Sequence, residues 1–431
     1  MADRISKNMF FALRVGIVLA VIAGSGCVIE RNQRRSTVPK VTAQLQDHFG
    51  LWVSRWDYRT PEDVIKVVDD ALAVGVTDLY WQVRGQGDAY YRSAIEPWGE
   101  EITRPLNDKS DTKNNPEAFD IARHRSLDPG FDPLRLAIEE AHRKGIRVHA
   151  WMNVMPMWRG KVMPINQSHV LYTHPEWRLH DETGQPQPMG DGYIVVNPVL
   201  EEVQDYLVSV VKEVVDRYGV DGVHLDYIRF LNDELGETKL YPGDAKSLSL
   251  YARMVGDRAT AGQINRTRYR EWIRDRITTL VERIGEEAIG DDSGIVYSSA
   301  VWRRPDLAHE QYLQDAAKWA NDDTVDLIMP MIYTDQESRF TEDIESWYQA
   351  VDRNKVIAGI GTYKHTSPRQ TLMQMTMAHP RRFVLFAYSS VFESVNPGQD
   401  DGPKHVEIRA HKRDALKQFI EQVGRDANAR D

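Results

Sequence analysis

The sequence is poor in cysteine, in excess positive charge and in long apolar runs, and each shortage excludes a class of protein. Cys27 is the only cysteine among 431 residues, so no disulfide can form within the chain. Lysine and arginine number 54 against 64 aspartates and glutamates, a formal net charge of −10. This acidic balance argues against nucleic acid as the main partner. The apolar run at residues 15–23 is too short for a comfortable membrane span.

Three catalytic signatures are also missing. No glycine-rich dinucleotide fingerprint follows the first predicted strand, and Gly85-Gln86-Gly87 lacks both a third glycine and a helix start. No Gly-x-Ser-x-Gly elbow is present for a serine nucleophile. The histidines lack the spacing of metal ligands, with no His-x-x-x-His pair. We therefore expect neither a cofactor nor a bound metal.

The first 27 residues predict an export signal. Basic residues flank the apolar run, and small residues follow it. Cys27, directly after Gly24-Ser25-Gly26, resembles the cysteine of a bacterial lipobox, which is lipidated and becomes the mature N-terminus. An ordinary signal peptide or an uncleaved anchor is the alternative. Each of these interpretations places the domain outside the cytoplasm, either on a membrane through a lipid anchor or free in the periplasm or medium.

The rest of the chain predicts a tether and one domain. Residues 28–47 are polar and basic with no apolar period, typical of a tether. Over 48–424, eight strand-like segments each precede a helix-like one, the count that closes a (β/α)8 TIM barrel. An open doubly wound sheet has the same alternation. Closure is favoured because polar or aromatic residues stand near the C-terminal end of nearly every strand. Long insertions follow strands two, three and four, at 85–131, 155–197 and 230–264.

The fourth predicted strand, at 220–228, holds the main catalytic candidate. Because side chains alternate along a strand, His224 and Asp226 are expected to point into the barrel, opposite Val223, Leu225 and Tyr227. An inward carboxylate at the C-terminal end of a barrel strand is where such enzymes keep their chemistry. The alternative is a structural Asp226 that holds a loop or pairs with Arg229.

Glycoside hydrolysis needs two carboxyl groups, one as nucleophile or base and one as proton donor. Asp335 follows the sixth strand and Glu393 the eighth, whereas Asp57 and Asp88 follow the first two. No carboxylate ends the fifth strand. We take Asp335 or Glu393 as the candidate partner of Asp226.

Polar and aromatic residues at the same rim are candidates for substrate binding. Tryptophans near a polar cleft suit the apolar faces of sugar rings, although some must instead pack the loops onto the barrel. The candidates near strand ends and in the loops include Trp56, Trp158, Trp177 and Trp302. The residues that we expect to contact the substrate are Arg84, Asp88, Trp98, His149, Trp151, Asn153, His224 and Tyr333. Lone strand histidines such as His149 and His224 are equally compatible with a purely structural role.

Several segments, in order, resemble the glycosyl-hydrolase-like family 10 (domain of unknown function 187). They are Leu51-Trp52-Val53, Gln82-Val83-Arg84, Gly87-Asp88-Ala89-Tyr90-Tyr91-Arg92-Ser93, Pro97-Trp98, Arg147-Val148-His149-Ala150-Trp151, His174-Pro175-Glu176-Trp177, Gly222-Val223-His224-Leu225-Asp226-Tyr227-Ile228-Arg229 and Met329-Pro330-Met331-Ile332-Tyr333. The likeness spans roughly residues 48–395.

This resemblance implies a TIM barrel with glycosidase activity, and it implies that Asp226 is the catalytic acidic residue. Some bacterial members are outer-membrane lipoproteins acting on peptidoglycan glycan strands, which would suit Cys27. Tyr227 stands where many relatives carry a second acidic residue, and Thr334 where an aromatic residue is common.

The combined prediction is a secreted or lipid-anchored glycoside hydrolase that cleaves a polysaccharide or a peptidoglycan glycan strand. Two alternatives stay open: a carbohydrate-binding barrel of the cell envelope without turnover, and an envelope scaffold that binds a protein partner.

Overall fold

The computed structural model describes residues 47–103, 128–231, 235, 238–256, 264–291, 293–379, 381–393, 395 and 403–428. The predicted export signal, Cys27 and nearly all of the tether lie outside these residues. Within them, no helix combines the length and apolar character needed to cross a membrane.

Eight parallel strands close into a barrel, which confirms the predicted TIM fold. Around the barrel each strand pairs with its neighbours in parallel register, and β1 pairs with β10 to complete the circle. The barrel strands are β1 (His48–Val53), β2 (Asp78–Arg84), β3 (Arg147–Asn153), β6 (Gly222–Asp226), β7 (Val296–Val301), β8 (Leu327–Ile332), β9 (Ala358–Gly361) and β10 (Arg382–Phe386). A separate antiparallel hairpin, β4 (Pro156–Gly160) and β5 (Gly190–Val195), lies in the insertion after β3.

Helices lie between the barrel strands, as the strand–helix alternation predicts. The α-helices are α1 (Pro61–Ala73), α2 (Glu100–Thr103), α3 (Pro133–Arg143), α4 (Val170–Thr173), α5 (Glu201–Arg217), α6 (Ala245–Val255), α7 (Arg266–Arg283), α8 (Pro305–Glu310), α9 (Ala316–Asn321), α10 (Glu337–Ala350), α11 (Pro368–Ala378) and α12 (Pro403–Asn428).

Helix α1 begins where its sequence predicts. The side chain of Thr60 accepts a hydrogen bond from the Asp63 amide, and the Asp63 carboxylate accepts one from the Thr60 amide. Pro61 occupies the first helical position, where no amide donor is needed. Val64 and Val68, four residues apart, face the core and are fully buried, which stabilises the fold by about 1.5–3 kcal/mol for each side chain.

Two strand boundaries differ from the prediction, each for a local reason. The sequence pattern predicts a first strand at 51–56, but β1 ends at Val53, because the Asp57 carboxylate accepts hydrogen bonds from both the amide and the hydroxyl of Ser54. Strand β6 ends at Asp226 instead of residue 228. Tyr227 has φ +51°, so the chain leaves the strand there and Tyr227 does not share the outward face of Val223.

The core has two parts. The outward faces of the strands and the helices form the larger cluster, whereas a smaller one fills the barrel interior. Glycines make room for large inward side chains. A Cβ on Gly222 would lie 2.0 Å from Nδ1 of His149, and one on Gly361 would lie 2.7 Å from Cβ of Tyr333. The interior therefore alternates small and large residues between neighbouring strands.

The insertion after β2 is fastened to helix α5. The carboxylate of Glu213 on α5 accepts hydrogen bonds from the Tyr91 hydroxyl at 3.1 Å, from the Ser93 hydroxyl at 2.5 Å and from the Ala94 amide at 2.6 Å. Arg217, one turn later, pairs with the same carboxylate. The insertion is thus held in a fixed place against helix α5.

Candidate active site

Asp226 is the last residue of β6, and its side chain is buried at the C-terminal mouth of the barrel. Its Oδ1 accepts hydrogen bonds from the Tyr227 amide at 2.6 Å and from Nη1 of Arg229 at 3.1 Å. No residue that the structure describes donates to Oδ2. One oxygen of the carboxylate is therefore held by two donors, and the other has no donor among the described residues.

Arg229 is held between aromatic rings. Its guanidinium carbon lies 4.1 Å from the ring centroid of Tyr227 and 5.4 Å from that of Trp302. Trp302 in turn stacks on Tyr312 at 3.8 Å. These cation–π contacts fix the direction in which Arg229 reaches Asp226. The pairing of Asp226 with Arg229, considered from the sequence as a structural alternative, is thus present, but it engages only one carboxylate oxygen.

Tyr333 lies just past β8, two strands from β6 around the barrel. Burial raises the pKa of the Tyr333 hydroxyl well above its usual range, and the negative charge of Asp226 raises it further. The hydroxyl is therefore protonated at neutral pH and can donate a hydrogen bond. The Tyr333 ring stacks on Phe386 at 5.1 Å and meets Tyr363 edge-on at 5.9 Å.

Asn153 and Trp151 lie on β3, next to β6, and both carry a buried polar atom without a hydrogen-bond partner among the described residues. Asn153 pairs in register with Asp226. Its Nδ2 donates to the Gly85 carbonyl at 3.1 Å, and its Oδ1 accepts no hydrogen bond from a described residue. Trp151, one layer deeper, packs in the barrel interior, and its Nε1 donates to no atom of the part of the chain that the structure describes. Unsatisfied buried polar groups are costly, so they are informative at a candidate site.

His224 lies one layer below Asp226 and is fully buried in a fixed tautomer. Its Nε2 accepts a hydrogen bond from Nε1 of Trp52 at 3.2 Å, so the ring hydrogen sits on Nδ1 and faces the Ser298 hydroxyl at 2.9 Å. Burial lowers the pKa of His224 well below its usual range, and His149 and His48 lower it further. His224 therefore supports the barrel interior as a neutral ring.

His149 lies deeper still, near the N-terminal end of the barrel. It stands four residues before Asn153, about 13 Å along the strand. Its Nε2 lies 2.8 Å from the Asp78 carboxylate, and its ring stacks on Tyr80 at 4.6 Å. Arg147 binds Asp78 through two nitrogens, each at 2.7 Å. This placement gives His149 a structural position, away from the open end of the barrel.

Arg84, at the end of β2, is buried and fully engaged. Its guanidinium makes an ion pair with Glu96 at 2.7 Å, and it donates to the backbone carbonyls of Val154 at 2.9 Å and of Asn153. The Tyr206 hydroxyl donates to the same Glu96 carboxylate. Arg84 therefore fixes the chain where it leaves β3, beside Asp226, and its predicted contact with substrate stays a prediction.

Asp88 and Trp98 lie in the insertion after β2. Oδ1 of Asp88 accepts hydrogen bonds from the amides of Gly85 at 3.2 Å and of Gln86 at 2.8 Å, closing a turn after the strand. Trp98 is partly buried against the core, with the guanidinium carbon of Arg92 at 6.0 Å from its ring centroid. Both positions are compatible with structural roles.

Asp335 and Glu393, the predicted proton donors, are both exposed, past β8 and β10 respectively. The backbone carbonyl of Asp335 accepts a hydrogen bond from Gln370 at 3.5 Å. No hydrogen bond or ion pair among the described residues joins Asp335 or Glu393 to Asp226. The structure thus brings Asp226, Asn153 and Tyr333 together at the mouth, and the identity of the proton donor stays a prediction.

A connected group at the rim was not identified from the sequence. Arg55 donates to the Tyr193 hydroxyl at 3.2 Å and pairs with Glu101 at 3.4 Å. The Tyr193 ring meets that of Tyr227 at 5.1 Å, which links this group to Arg229. Arg55 lies just past the first strand, so its position as a polar residue at a strand end could have indicated it from the sequence. Tyr193 lies on the hairpin of the second insertion, and nothing in its local pattern indicates the site.

This arrangement offers a carboxylate with one oxygen that no described residue binds, a protonated phenol and several rings at the mouth of a barrel. Such a set can position a sugar and act on it through oxygen and proton chemistry. Among the described residues, no group of three or more histidine, cysteine, aspartate or glutamate side chains converges as metal ligands.

Comparison with known proteins finds relatives that are named glycosyl hydrolases. The glycosyl hydrolase DigH of Escherichia coli (strain K12) is 24% identical over 423 residues, covering 85% of this chain and 87% of DigH. The glycosyl hydrolase YngK of Bacillus subtilis (strain 168) is 23% identical over 292 residues, covering 63% of this chain and 49% of YngK.

Among solved structures, the PgaB (BpsB) glycoside hydrolase domain from Bordetella bronchiseptica superimposes with a TM-score of 0.52 at 12% identity, covering 84% of this chain and 98% of that domain. Alpha-L-fucosidase isoenzyme 2 from Paenibacillus thiaminolyticus has a TM-score of 0.52 at 14% identity, covering 88% of this chain and 50% of the fucosidase chain. At these identities the likeness shows the fold. The model of the glycosyl hydrolase-like 10 family matches residues 49–371, which confirms the family expected from the sequence motifs, and the chain belongs to that family.

Proposed function

We propose that this protein is a glycoside hydrolase that cleaves glycosidic bonds in a polysaccharide or in the glycan strands of peptidoglycan. The observation that carries the proposal is Asp226, a buried carboxylate at the C-terminal end of a barrel strand, with one oxygen held by two donors and the other without a donor among the described residues. TIM-barrel enzymes carry their reactive groups at this face. Membership of the glycosyl hydrolase-like 10 family supports a glycan as the substrate class.

In this proposal the residues around Asp226 have distinct roles. Asp226 acts as nucleophile or base through Oδ2, while Arg229 and the Tyr227 amide hold Oδ1. The Tyr333 hydroxyl donates a hydrogen bond to the substrate. Asp335 or Glu393 protonates the leaving oxygen.

The proposal is tested by measuring reducing ends released from a panel of polysaccharides and from peptide-free peptidoglycan by the full-length chain in detergent. Asp226→Asn keeps an oxygen for the Tyr227 amide and Arg229 but removes the negative charge. We expect kcat to fall by about 10²- to 10⁴-fold, the range of a lost general acid or base. Asp335→Asn and Glu393→Gln are assayed alongside. The variant that loses activity identifies the proton donor. Full activity of Asp226→Asn on every glycan that the parent cleaves would refute the assigned role.

A second candidate is a carbohydrate-binding barrel without turnover. Two observations favour it: Asp226 is ion-paired with Arg229, and no second carboxylate of the described residues contacts Asp226. This candidate predicts glycan binding without release of reducing ends. The same panel, with binding measured beside turnover, separates the two functions.

We also propose that the domain acts outside the cytoplasm, anchored to a membrane by a lipid on Cys27. The support is the N-terminal sequence alone, with its basic flank, short apolar run and small residues before the cysteine.

A further inference from the structure

Three rings form an aromatic corner at the barrel mouth, made of Tyr333, Tyr363 and Phe386. Tyr333 and Phe386 stack with an interplanar angle of 22°. The Tyr363 ring stands almost perpendicular to both, at 80° to Tyr333 and at 73° to Phe386. The corner therefore has two walls, one made by the stacked pair and one by Tyr363.

Tyr363 is the most exposed large aromatic residue in the described part of the chain, with 51% of its surface accessible. Its hydroxyl makes no hydrogen bond with any described residue. Lys364 lies over the ring, with Nζ 5.2 Å from the ring centroid, and so occupies one face. A single exposed ring is unremarkable on a protein surface. Tyr363 differs because its neighbours are the rings of the candidate active site.

The backbone beneath Tyr363 is firmly held. The Thr362 hydroxyl donates to the Phe386 carbonyl at 3.0 Å, and the Thr362 carbonyl accepts from Nζ of the buried Lys412 at 2.8 Å. The amide of His365 donates to the same carbonyl at 3.1 Å. The ring thus projects from a fixed turn, so little conformational entropy would be lost when a ligand stacks on it.

The corner extends away from the proposed reaction centre. Asp226 ends β6, Tyr333 follows β8 and Tyr363 follows β9, and β9 lies one strand farther around the barrel from β6 than β8 does. Tyr363 therefore lies one strand position farther from Asp226 than Tyr333. A sugar on Tyr363 would be the neighbour of the sugar held at Asp226.

We infer that Tyr363 forms a second sugar subsite, next to the sugar held at Asp226. The inference rests on the proposed glycoside hydrolase function. The exposed part of the Tyr363 ring suits the apolar face of a pyranose, while the Tyr333–Phe386 pair bounds the same sugar from the side. The subsite adds binding energy for longer chains and takes no part in bond cleavage.

The test compares full-length wild type with Tyr363→Ala on peptide-free peptidoglycan strands fractionated to two, four and eight sugars. Tyr363→Ala should raise KM for the eight-sugar strand about tenfold, the size of one aromatic stacking contact, with kcat nearly unchanged. KM for the two-sugar fragment should change little. Tyr363→Phe keeps the ring and should match wild type. Leu72→Ala, an exposed side chain on the outer helix α1, serves as the control for a general surface effect.

Direct binding of the same strands to wild type and to Tyr363→Ala, measured without turnover, distinguishes a failure of the proposed subsite from a failure of the proposed hydrolase function. If wild type cleaves the strands and Tyr363→Ala shows the same KM at every length, the subsite is wrong and the hydrolase function stands. If the strands bind without cleavage and Tyr363→Ala weakens only the longer ones, the subsite stands and hydrolysis is wrong. If wild type neither binds nor cleaves any strand, the subsite for this glycan is refuted.

Discussion

Replacing Arg84 by methionine tests whether this buried guanidinium supports the cleft or binds the substrate. The change removes an ion pair to Glu96 and hydrogen bonds to the carbonyls that follow β3. The Glu96 side chain, 1% exposed, would be left with only the Tyr206 hydroxyl of this network as a partner. Breaking one partner out of a buried ion pair costs about 3–5 kcal/mol. We expect Arg84→Met to lower the free energy of unfolding by that amount.

Urea denaturation followed by circular dichroism at pH 7 measures the loss. Arg84→Lys keeps the charge but cannot reach the carboxylate and the carbonyls at once, so we expect an intermediate loss. The double variant Arg84→Met with Glu96→Gln leaves no buried charge, and it should lose less stability than Arg84→Met alone. This partial recovery would show that the stability lost in Arg84→Met comes from the unpaired Glu96 and not from a packing defect.

Catalytic measurements on the same variants complete the test. An anchoring Arg84 predicts that the loss of stability and the loss of kcat occur together, because the chain beside Asp226 becomes less fixed. If Arg84→Met unfolds with a change below about 1 kcal/mol, within the ordinary range of surface substitutions, while KM rises strongly, the anchoring role is refuted and Arg84 binds the substrate directly.

Two further predictions concern pH and export. Burial lowers the pKa of His169 from 6.5 to about 4, so the unfolded chain takes up a proton at a higher pH than the folded chain. The free energy of unfolding should therefore fall as the pH drops from 6.5 to 4, by up to roughly 3 kcal/mol from this residue. In urea denaturation, His169→Gln should remove that part of the dependence of the free energy of unfolding on pH between 6.5 and 4. An unchanged pH dependence would contradict the lowered pKa of His169. Radioactive fatty acid fed to expressing cells should label the wild-type chain and not Cys27→Ser; equal labelling would exclude Cys27 as the lipidation site.

The sequence was sufficient to predict the barrel because its signals are local. Apolar strand cores, helix caps such as Thr60 and the polar residues at strand ends each depend on a few neighbouring positions. Asp226 was found in this way, because alternation along a short strand determines which face a side chain occupies.

What the sequence could not predict depends on register and on partners far along the chain. His149 and Asn153 lie on the same face of β3, yet only Asn153 reaches the mouth, because His149 lies four residues earlier along the strand, and the depth of that strand relative to its neighbours depends on register. The partner of His149 is Asp78, 71 residues earlier, and Arg84 pairs with Glu96 inside a long insertion. No local pattern distinguishes these acids from the many that remain solvated.

The fastening of the insertions has a consequence for engineering. Exchange of single loops is the usual route to a new specificity in barrels, and it assumes that each loop is independent. Here a graft of the loop after β2 would carry away Glu96 and the groups bound to Glu213, stranding Tyr206 and Glu213 on helix α5. A workable chimera would have to transfer that loop and this helix as one cassette, which also limits how freely evolution can vary either of them.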